Sequence, residues 1–438
     1  MNTRNLARTT IQRILNTGAY SNLVLSNVLN ENELSDKDKG LITELVYGVL
    51  RRRNSLDMII SSFVRDIKVM DDDILNILRV AVYQMHYLDR IPDHAVLNEA
   101  VEEAKEISEK EAKLVNGILR SYQKAEGDIE IKGNKINEFE YKYSFAPWMI
   151  RLLISQYGEK TAFKIMAGLN QIPTVTVRVN SIKADYDEVF DSLTELGYDV
   201  EEGYLCPEAI SIKGGKNIEK NPLFEEGKVT VQDESAMTVA PLLDLQEGEV
   251  ALDLCSAPGG KTTHIGELLN NTGNVLAFDL HENKLSLVQE NVDRLGLTNI
   301  KLQQMDASKL NAEFVCSADK ILLDVPCSGL GIIRKKPEIK WTKTRKQLTE
   351  IVNIQREIMS NAWQYLKPGG VMVYSTCTLN KEENENNIEW FLQKNRDAKS
   401  CNIYLGKGEN LVYGENNSLT IMPNEHMDGF FIAKIQKI

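Results

Sequence analysis

Two cysteines sit in settings that suit covalent chemistry. In ILLDVPCSGLG (Ile321–Gly331) an apolar, β-rich run ends in Asp324, with Cys327 three residues beyond it. In VMVYSTCTLNKEEN (Val371–Asn384) a second such run ends at Cys377. Each thiol therefore lies at a strand end among small polar residues, beside a carboxylate in one case and before a helix start in the other. A thiolate is a potent nucleophile, and adding one to a ring carbon divides a difficult substitution into easier steps. Asn380 reads as an N-cap with Glu383 three residues later, a capping-box pattern that would bring a helix N-terminus close to Cys377 and favour its thiolate. Cys206, Cys316 and Cys401 have no comparable surroundings and read as structural.

The elements that must carry these residues alternate along residues 229–438. EVALDLC, NVLAFDL, IKLQQMD, KILLDVP and GGVMVYSTC are short β-rich runs separated by helical stretches such as HENKLSLVQENVDRLG. Such alternation implies a mostly parallel sheet with helices on both faces. SLTIMPNEHMDGFFIAKIQ, near residue 430, reads as a hairpin completing it.

Ligands of open parallel sheets lie beyond the carboxyl ends of the strands. The first strand runs from Asp253 into Cys255, Ser256, Ala257, Pro258, Gly259, Gly260 and Lys261, a turn whose adjacent glycines let a ligand approach the main chain at a helix start. The next strands end at Asp279, suited to ribose hydroxyls, at Asp306, suited to an adenine amine, and at Asp324. The turn has neither the G-x-G-x-x-G spacing of a dinucleotide site nor a P-loop, because the glycine that a P-loop needs upstream of Gly260-Lys261-Thr262 is missing. One acidic residue per successive strand, without a phosphate cradle, points to a nucleoside cofactor such as S-adenosyl-L-methionine.

Upstream the character changes twice. Residues 1–127 read as helices only: Ile74, Leu78, Ala81, Met85 and Leu88 recur at steps of three and four, as do Leu97, Ala100, Val101 and Ala104. His86 and His94 lie on these core faces and carry no assigned chemistry. EGDIEIKGNK reads as a connector, and residues 128–228 as a small α/β module containing the strand-like TVTVRVN. The chain of 438 residues has a formal net charge of −12, no apolar run long enough to span a bilayer, and six cysteines without a C-x-x-C pair. These features argue against a disulfide framework or a zinc site and for a reducing, cytoplasmic setting. RKKPEIKWTKTRK (334–346) holds seven Lys or Arg and one Glu. Following directly on the first cysteine stretch, it reads as a substrate-facing loop, with Trp341 stacking on a base or packing; Arg51-Arg52-Arg53 forms a second basic cluster.

CSAPGGKT, LLDVPCSGLG and YSTCTLNKEENE resemble the signature stretches of the RNA (cytosine-5) methyltransferases of the NOL/NOP/Sun family. The likeness extends to RVNSI (Arg178–Ile182), VQDESAM (Val231–Met237), GIIRKKPEIKW and HMDGFF. The helical part is similar to the NusB-like domain fused to the bacterial small-subunit rRNA members. This resemblance implies a Rossmann-like methyltransferase domain preceded by an all-α NusB-like domain and a small α/β module. It also implies S-adenosyl-L-methionine as cofactor and small-subunit rRNA as partner, with no membrane and no metal. Carried over, Cys377 attacks cytosine C6, Cys327 assists product release, and Asp324 holds the ring. The rivals are the same reaction on tRNA and an inert NusB-like RNA-binding scaffold; retention of both thiols and the whole turn disfavours the scaffold. Ser256, Lys284 and Lys336 depart from the more usual Ala, Arg and His.

Overall fold

The computed structural model describes residues 2–125 and 133–438. Most of the expected connector EGDIEIKGNK, residues 126–132, thus lies outside the described residues. The chain forms two compact units: one comprises the residues up to Asn170 together with Ile333–Lys343, the other Gln171–Ile332 with Thr344–Ile438.

The first unit is helical: α1 (Thr3–Thr17), α2 (Ser21–Glu31), α3 (Asp36–Ser61), α4 (Asp72–Tyr87), α5 (Asp93–Ile107), α6 (Glu109–Lys124), α7 (Lys135–Tyr143), α8 (Pro147–Tyr157) and α9 (Glu159–Gly168). The apolar steps of the sequence become its core. Ile74, Leu78 and Ala81 of α4 and Leu97, Ala100 and Ala104 of α5 are buried, while Met85, Leu88 and Val101 pack at its margin. Side chains of Asn2, Ser35, Asp71 and Ser108 cap the starts of α1, α3, α4 and α6 by accepting from free backbone N–H groups. His86 has a packing role only; its Nδ1 lies 2.9 Å from the Tyr122 hydroxyl.

The basic run after Cys327 is not the substrate-facing loop expected from sequence. Ile333–Lys343 clusters with the helices, and Arg334, Glu338 and Lys340 are buried. Lys340 is 1 % exposed. Its Nζ donates to Arg51 O (3.0 Å), Tyr143 O (3.2 Å) and Asn170 Oδ1 (2.6 Å), and it sits 4.1 Å from the centre of the Phe145 ring. An ammonium has three donors, and all three are used. Trp341 does not offer its face to a base: its Nε1 donates to Leu50 O at 2.7 Å and the Arg53 guanidinium lies over its ring. Glu338 Oε1 accepts from Ser21 N at 3.0 Å, supplying α2 with the N-terminal cap that its neighbour Tyr20 does not provide. The two basic clusters of the sequence thus interlock, leaving Arg345 and Lys346 as the exposed cations of the run.

The second unit contains two sheets. Strands β1 (Val175–Val179), β2 (Asp199–Glu202), β3 (Ala209–Gly214) and β4 (Val229–Val231) form an antiparallel sheet in the order β2-β3-β1-β4. The larger sheet uses β5 (Val250–Asp253), β6 (Asn274–Asp279), β7 (Ile300–Gln304), β8 (Ala318–Asp324), β9 (Leu366–Thr376), β10 (Ala398–Cys401), β11 (Leu411–Tyr413), β12 (Leu419–Ile421) and β13 (Phe430–Lys437). Its order is β11-β12-β13-β9-β8-β5-β6-β7, with β10 beside β13. The five strands read from the alternation pair in parallel, and β12 and β13 form the antiparallel closing hairpin. The chain winds outward through β5, β6 and β7, then returns to the other side of β5 with β8. That reversal between β5 and β8 opens the crevice in which such sheets bind ligands. Among the described residues no helix is long and apolar enough to cross a membrane.

Replacing Lys340 by methionine would leave its buried oxygens without their cation. We expect the helical unit to lose about 3 kcal/mol of stability. A urea titration followed by circular dichroism measures this as a lower midpoint, and an unchanged midpoint would contradict the role described.

Candidate active site

Parallel pairing brings the two thiol stretches together. In the ladder between β8 and β9, Asp324 faces Ser375, and Ser375 Oγ donates to Asp324 Oδ1 at 2.9 Å. The strands end side by side, so the loops leaving them run side by side. Cys327 Sγ and Cys377 Sγ lie 3.2 Å apart, and both are free thiols. Their hydrogen bond, followed by burial, pushes the Cys327 thiol well above its ordinary value.

Backbone contacts fix this approach. Gly331 N donates to Cys377 O, and Gly429 N to Gly331 O, each at 2.9 Å. A Cβ on Gly331 would fall 2.0 Å from Gly429 O and 2.8 Å from Cys377 O, so only glycine allows the three loops to meet. The capping box expected at Asn380 is absent. Residues 381–384 form a turn, and the helix begins only at Glu385, with Asn384 before it making no side-chain cap. No helix therefore starts directly after Cys377 to favour its thiolate. Glu383 instead turns inward: its carboxylate accepts from Ser328 N (2.8 Å), Ser328 Oγ (2.5 Å), Asn380 Nδ2 (3.0 Å) and Gln355 Nε2 (3.1 Å).

The turn after β5 occupies the other wall of the crevice. Gly259 has φ +105°, a conformation that favours glycine, and a Cβ there would press on Val288. The helix Gly260–Leu268 starts immediately afterwards. Asp253, fully buried, accepts from Thr262 Oγ1 at 2.6 Å and from Cys255 N at 3.3 Å, which ties the ends of the turn together. Burial pushes its carboxyl up to about 7. Cys255 is raised by burial and serves the turn through its main chain. Ala257 packs against Val288 and its neighbours, and Pro258 O accepts from Asn291 Nδ2 at 3.0 Å. Ser256 Oγ is buried with no hydrogen-bond partner among the described residues, a polar atom left for a ligand.

Lys261 closes the gap between the two walls. Its Nζ lies 2.8 Å from Asp324 Oδ2. Burial acts against the ammonium, but the Asp324 carboxylate more than offsets it and holds Lys261 above its ordinary value. Farther along, Asp279 Oδ1 accepts from His281 N at 3.0 Å, and Asp306 Oδ1 from Ser308 Oγ at 2.6 Å. The Ser308 hydroxyl, with Lys309, holds the Asp306 carboxyl below its ordinary value. The sheet thus brings Cys255–Lys261, Asp279, Asp306 and Asp324 to one edge, with Cys327 and Cys377 next to Asp324.

Three residues gained roles that the sequence did not reveal. Arg178, 1 % exposed, crosses from β1 to the helix Gly260–Leu268. It pairs with Glu267 through Nε (3.1 Å) and Nη2 (2.8 Å), donates to Gly260 O (2.8 Å), and bonds Gln232. Its place in the RVNSI stretch was the available signal. Asp253 was visible as the last residue of its strand. Glu383 was visible but assigned to a helix cap.

A mostly parallel sheet whose strand order reverses between β5 and β8 is the architecture of a Rossmann-like methyltransferase domain. Comparison with known proteins agrees. The family model "16S rRNA methyltransferase RsmB/F" matches residues 240–436, the NusB family model residues 1–124, and an RsmF/B-like ferredoxin-like domain residues 145–219. The "probable ribosomal RNA small subunit methyltransferase B" of Bacillus subtilis is 38% identical over 441 residues, covering 99% of this chain and 98% of that protein. The Escherichia coli ribosomal RNA small subunit methyltransferase B is 36% identical over 443 residues, covering 100% and 99%. Among solved structures, PH0851 superimposes with a TM-score of 0.84 at 27% identity, covering 100% of this chain and 99% of that one. NSun6 from Pyrococcus horikoshii, crystallised with SFG, gives a TM-score of 0.62 at 27% identity, covering 68% and 99%. The chain belongs to the RsmB/F family of methyltransferases, in the branch that carries a NusB domain.

Two outcomes follow from this geometry. Gly331→Ala should force the thiol loops apart and lower methyl transfer by about a hundredfold, with circular dichroism unchanged; a rate within about threefold of the parent would show that the close approach is dispensable. Asp253 binds a proton in the fold that the unfolded chain has already released. The stability it contributes is complete below about pH 4 and is lost as pH rises through about 7. Melting temperature should therefore fall between about pH 5 and about pH 8, and by less in Asp253→Asn. An identical fall in both proteins would contradict the burial effect.

Proposed function

We propose that the chain is an S-adenosyl-L-methionine-dependent methyltransferase that modifies C5 of a cytosine in small-subunit rRNA. The observation that carries this reading is the 3.2 Å separation of Cys327 and Cys377 beside Asp324. Cys255–Lys261, Asp279 and Asp306 would hold the cofactor, with the free Ser256 hydroxyl and the glycine turn fitting a nucleoside; when bound, it supplies an electrophilic methyl group. Crystallisation of P. horikoshii NSun6 with SFG, an S-adenosylmethionine analogue, supports that fit. The names of the relatives support rRNA as substrate.

Cytosine C5 is too weak a nucleophile to take a methyl group unaided. Cys377 adds as thiolate to C6, forming a C–S bond and moving electron density to C5. Asp324 holds the ring by accepting from its exocyclic amine, with Lys261 balancing the carboxylate charge. After transfer the C5 proton passes to solvent, the C5–H electron pair re-forms the C5–C6 double bond, and the C6–S bond breaks, returning Cys377 as thiolate. Cys327, its sulfur 3.2 Å from that of Cys377, assists this release. The target base must be unpaired or swung from its stack to reach two half-buried sulfurs.

Incubation with labelled cofactor and rRNA tests the assignment. Cys377→Ala should abolish transfer and leave cofactor binding intact; retained transfer ends the proposal. Cys327→Ala should accumulate protein covalently joined to RNA, seen as a shifted band in a denaturing gel. If that band appears with Cys377→Ala instead, the roles are exchanged.

A further inference from the structure

We infer that Glu383 is a positioning residue that holds the Cys327 and Cys377 loops in register for product release. This inference rests on the covalent chemistry proposed above. Glu383 is 0 % exposed and touches neither sulfur through a hydrogen bond. It acts on the residues flanking them. On the Cys327 side its carboxylate takes both the N–H and the hydroxyl of Ser328, the next residue. It also takes Gln355 Nε2, which donates at 3.0 Å to the carbonyl of Pro326, the preceding residue. Cys327 is therefore gripped from both neighbours through one carboxylate.

The Cys377 side is tied to the same group. Ser328 Oγ lies 2.7 Å from Thr378 Oγ1, linking the residue after one thiol to the residue after the other. Asn380, three residues beyond Cys377, donates to the carboxylate, and the Tyr374 hydroxyl, three residues before it, donates to Glu383 O at 2.6 Å. Burial of an anion is costly, and four convergent donors are what makes it tenable here. Only a carboxylate suits this set. A glutamine has the same shape but one accepting oxygen, and its NH2 would face groups that are themselves donors.

The two thiols do not depend on Glu383 equally. Cys377 directly follows β9, whose pairing with β8 and β13 fixes it. Cys327 lies in an irregular loop held at Gly331 by the backbone contact to Cys377 and, at the two neighbours of the thiol itself, by the Ser328 and Pro326 grip. Loss of the carboxylate should then leave attack by Cys377 working and impair the release that Cys327 assists.

The test is Glu383→Gln in the full chain, assayed with rRNA and S-adenosyl-L-methionine beside Cys327→Ala. Turnover should fall by about ten- to a hundredfold, cofactor affinity should stay within about twofold, and the denaturant-resistant RNA adduct should accumulate. Ser328→Ala, which removes one donor and keeps the carboxylate, should show the same adduct more weakly. The double variant should lose no more than Glu383→Gln alone, because both act through one link. Unchanged turnover, or lost turnover without adduct in both single variants, overturns the inference. If Cys327→Ala itself yields no adduct, the covalent reading fails, and the positioning role falls with it.

Discussion

Parallel pairing of β8 with β9, which sets Asp324 opposite Ser375, is the constraint on which the site is built. A shift by one residue would turn every side chain of a strand to the opposite face of the sheet. Here such a slip would separate the carboxylate from Ser375 and move one thiol loop past the other. The register is secured by burial, since Ile321, Leu323, Met372 and Tyr374 share one core while Leu322 and Val373 belong to the core of the other face. The hydrophobic effect thus positions both sulfur atoms through the strands that lead to them.

Charge is then used sparingly inside this frame, each buried group with its partners. Arg178 meets Glu267 and the main chain of Gly260, so the small antiparallel sheet fixes the start of the helix Gly260–Leu268. Lys261 meets Asp324 and lies near the Phe430 ring. Breaking one member of such a pair strands the other in a medium that solvates it poorly. The polar groups of the second unit consequently act as fixed spacers between loops that apolar packing alone would leave free to slide.

Much of this was legible in the sequence because it depends on short-range pattern. The parallel strands alternate with helices at regular spacing, and the thiols and acidic residues sit at strand ends that the pattern defines. The parts that misled depend on partners distant in the chain. Asn380 and Glu383 have the spacing of a capping box, yet Glu383 found Ser328 and Gln355, and the helix waited until Glu385. Lys340 and Trp341 look like solvent-facing members of a basic run, but backbone oxygens of Arg51, Tyr143 and Leu50 claimed them. Arg178 sits in a strand whose flanking valines gave no hint that a guanidinium would be buried between them. Local propensity is a weak prior against a well-formed tertiary partner.

The segment Ile333–Lys343 has one more consequence, for biosynthesis. Domains generally fold in order as a nascent chain emerges. The helices up to Gly168 leave the ribosome long before Lys340 is translated, so the oxygens of Arg51, Tyr143 and Asn170 first form without the ammonium that later joins them. Likewise α2 begins life lacking the Glu338 cap at Ser21. The amino-terminal unit is thus finished by a piece of chain made well after it, and its maturation is tied to the completion of the loop that follows the first thiol.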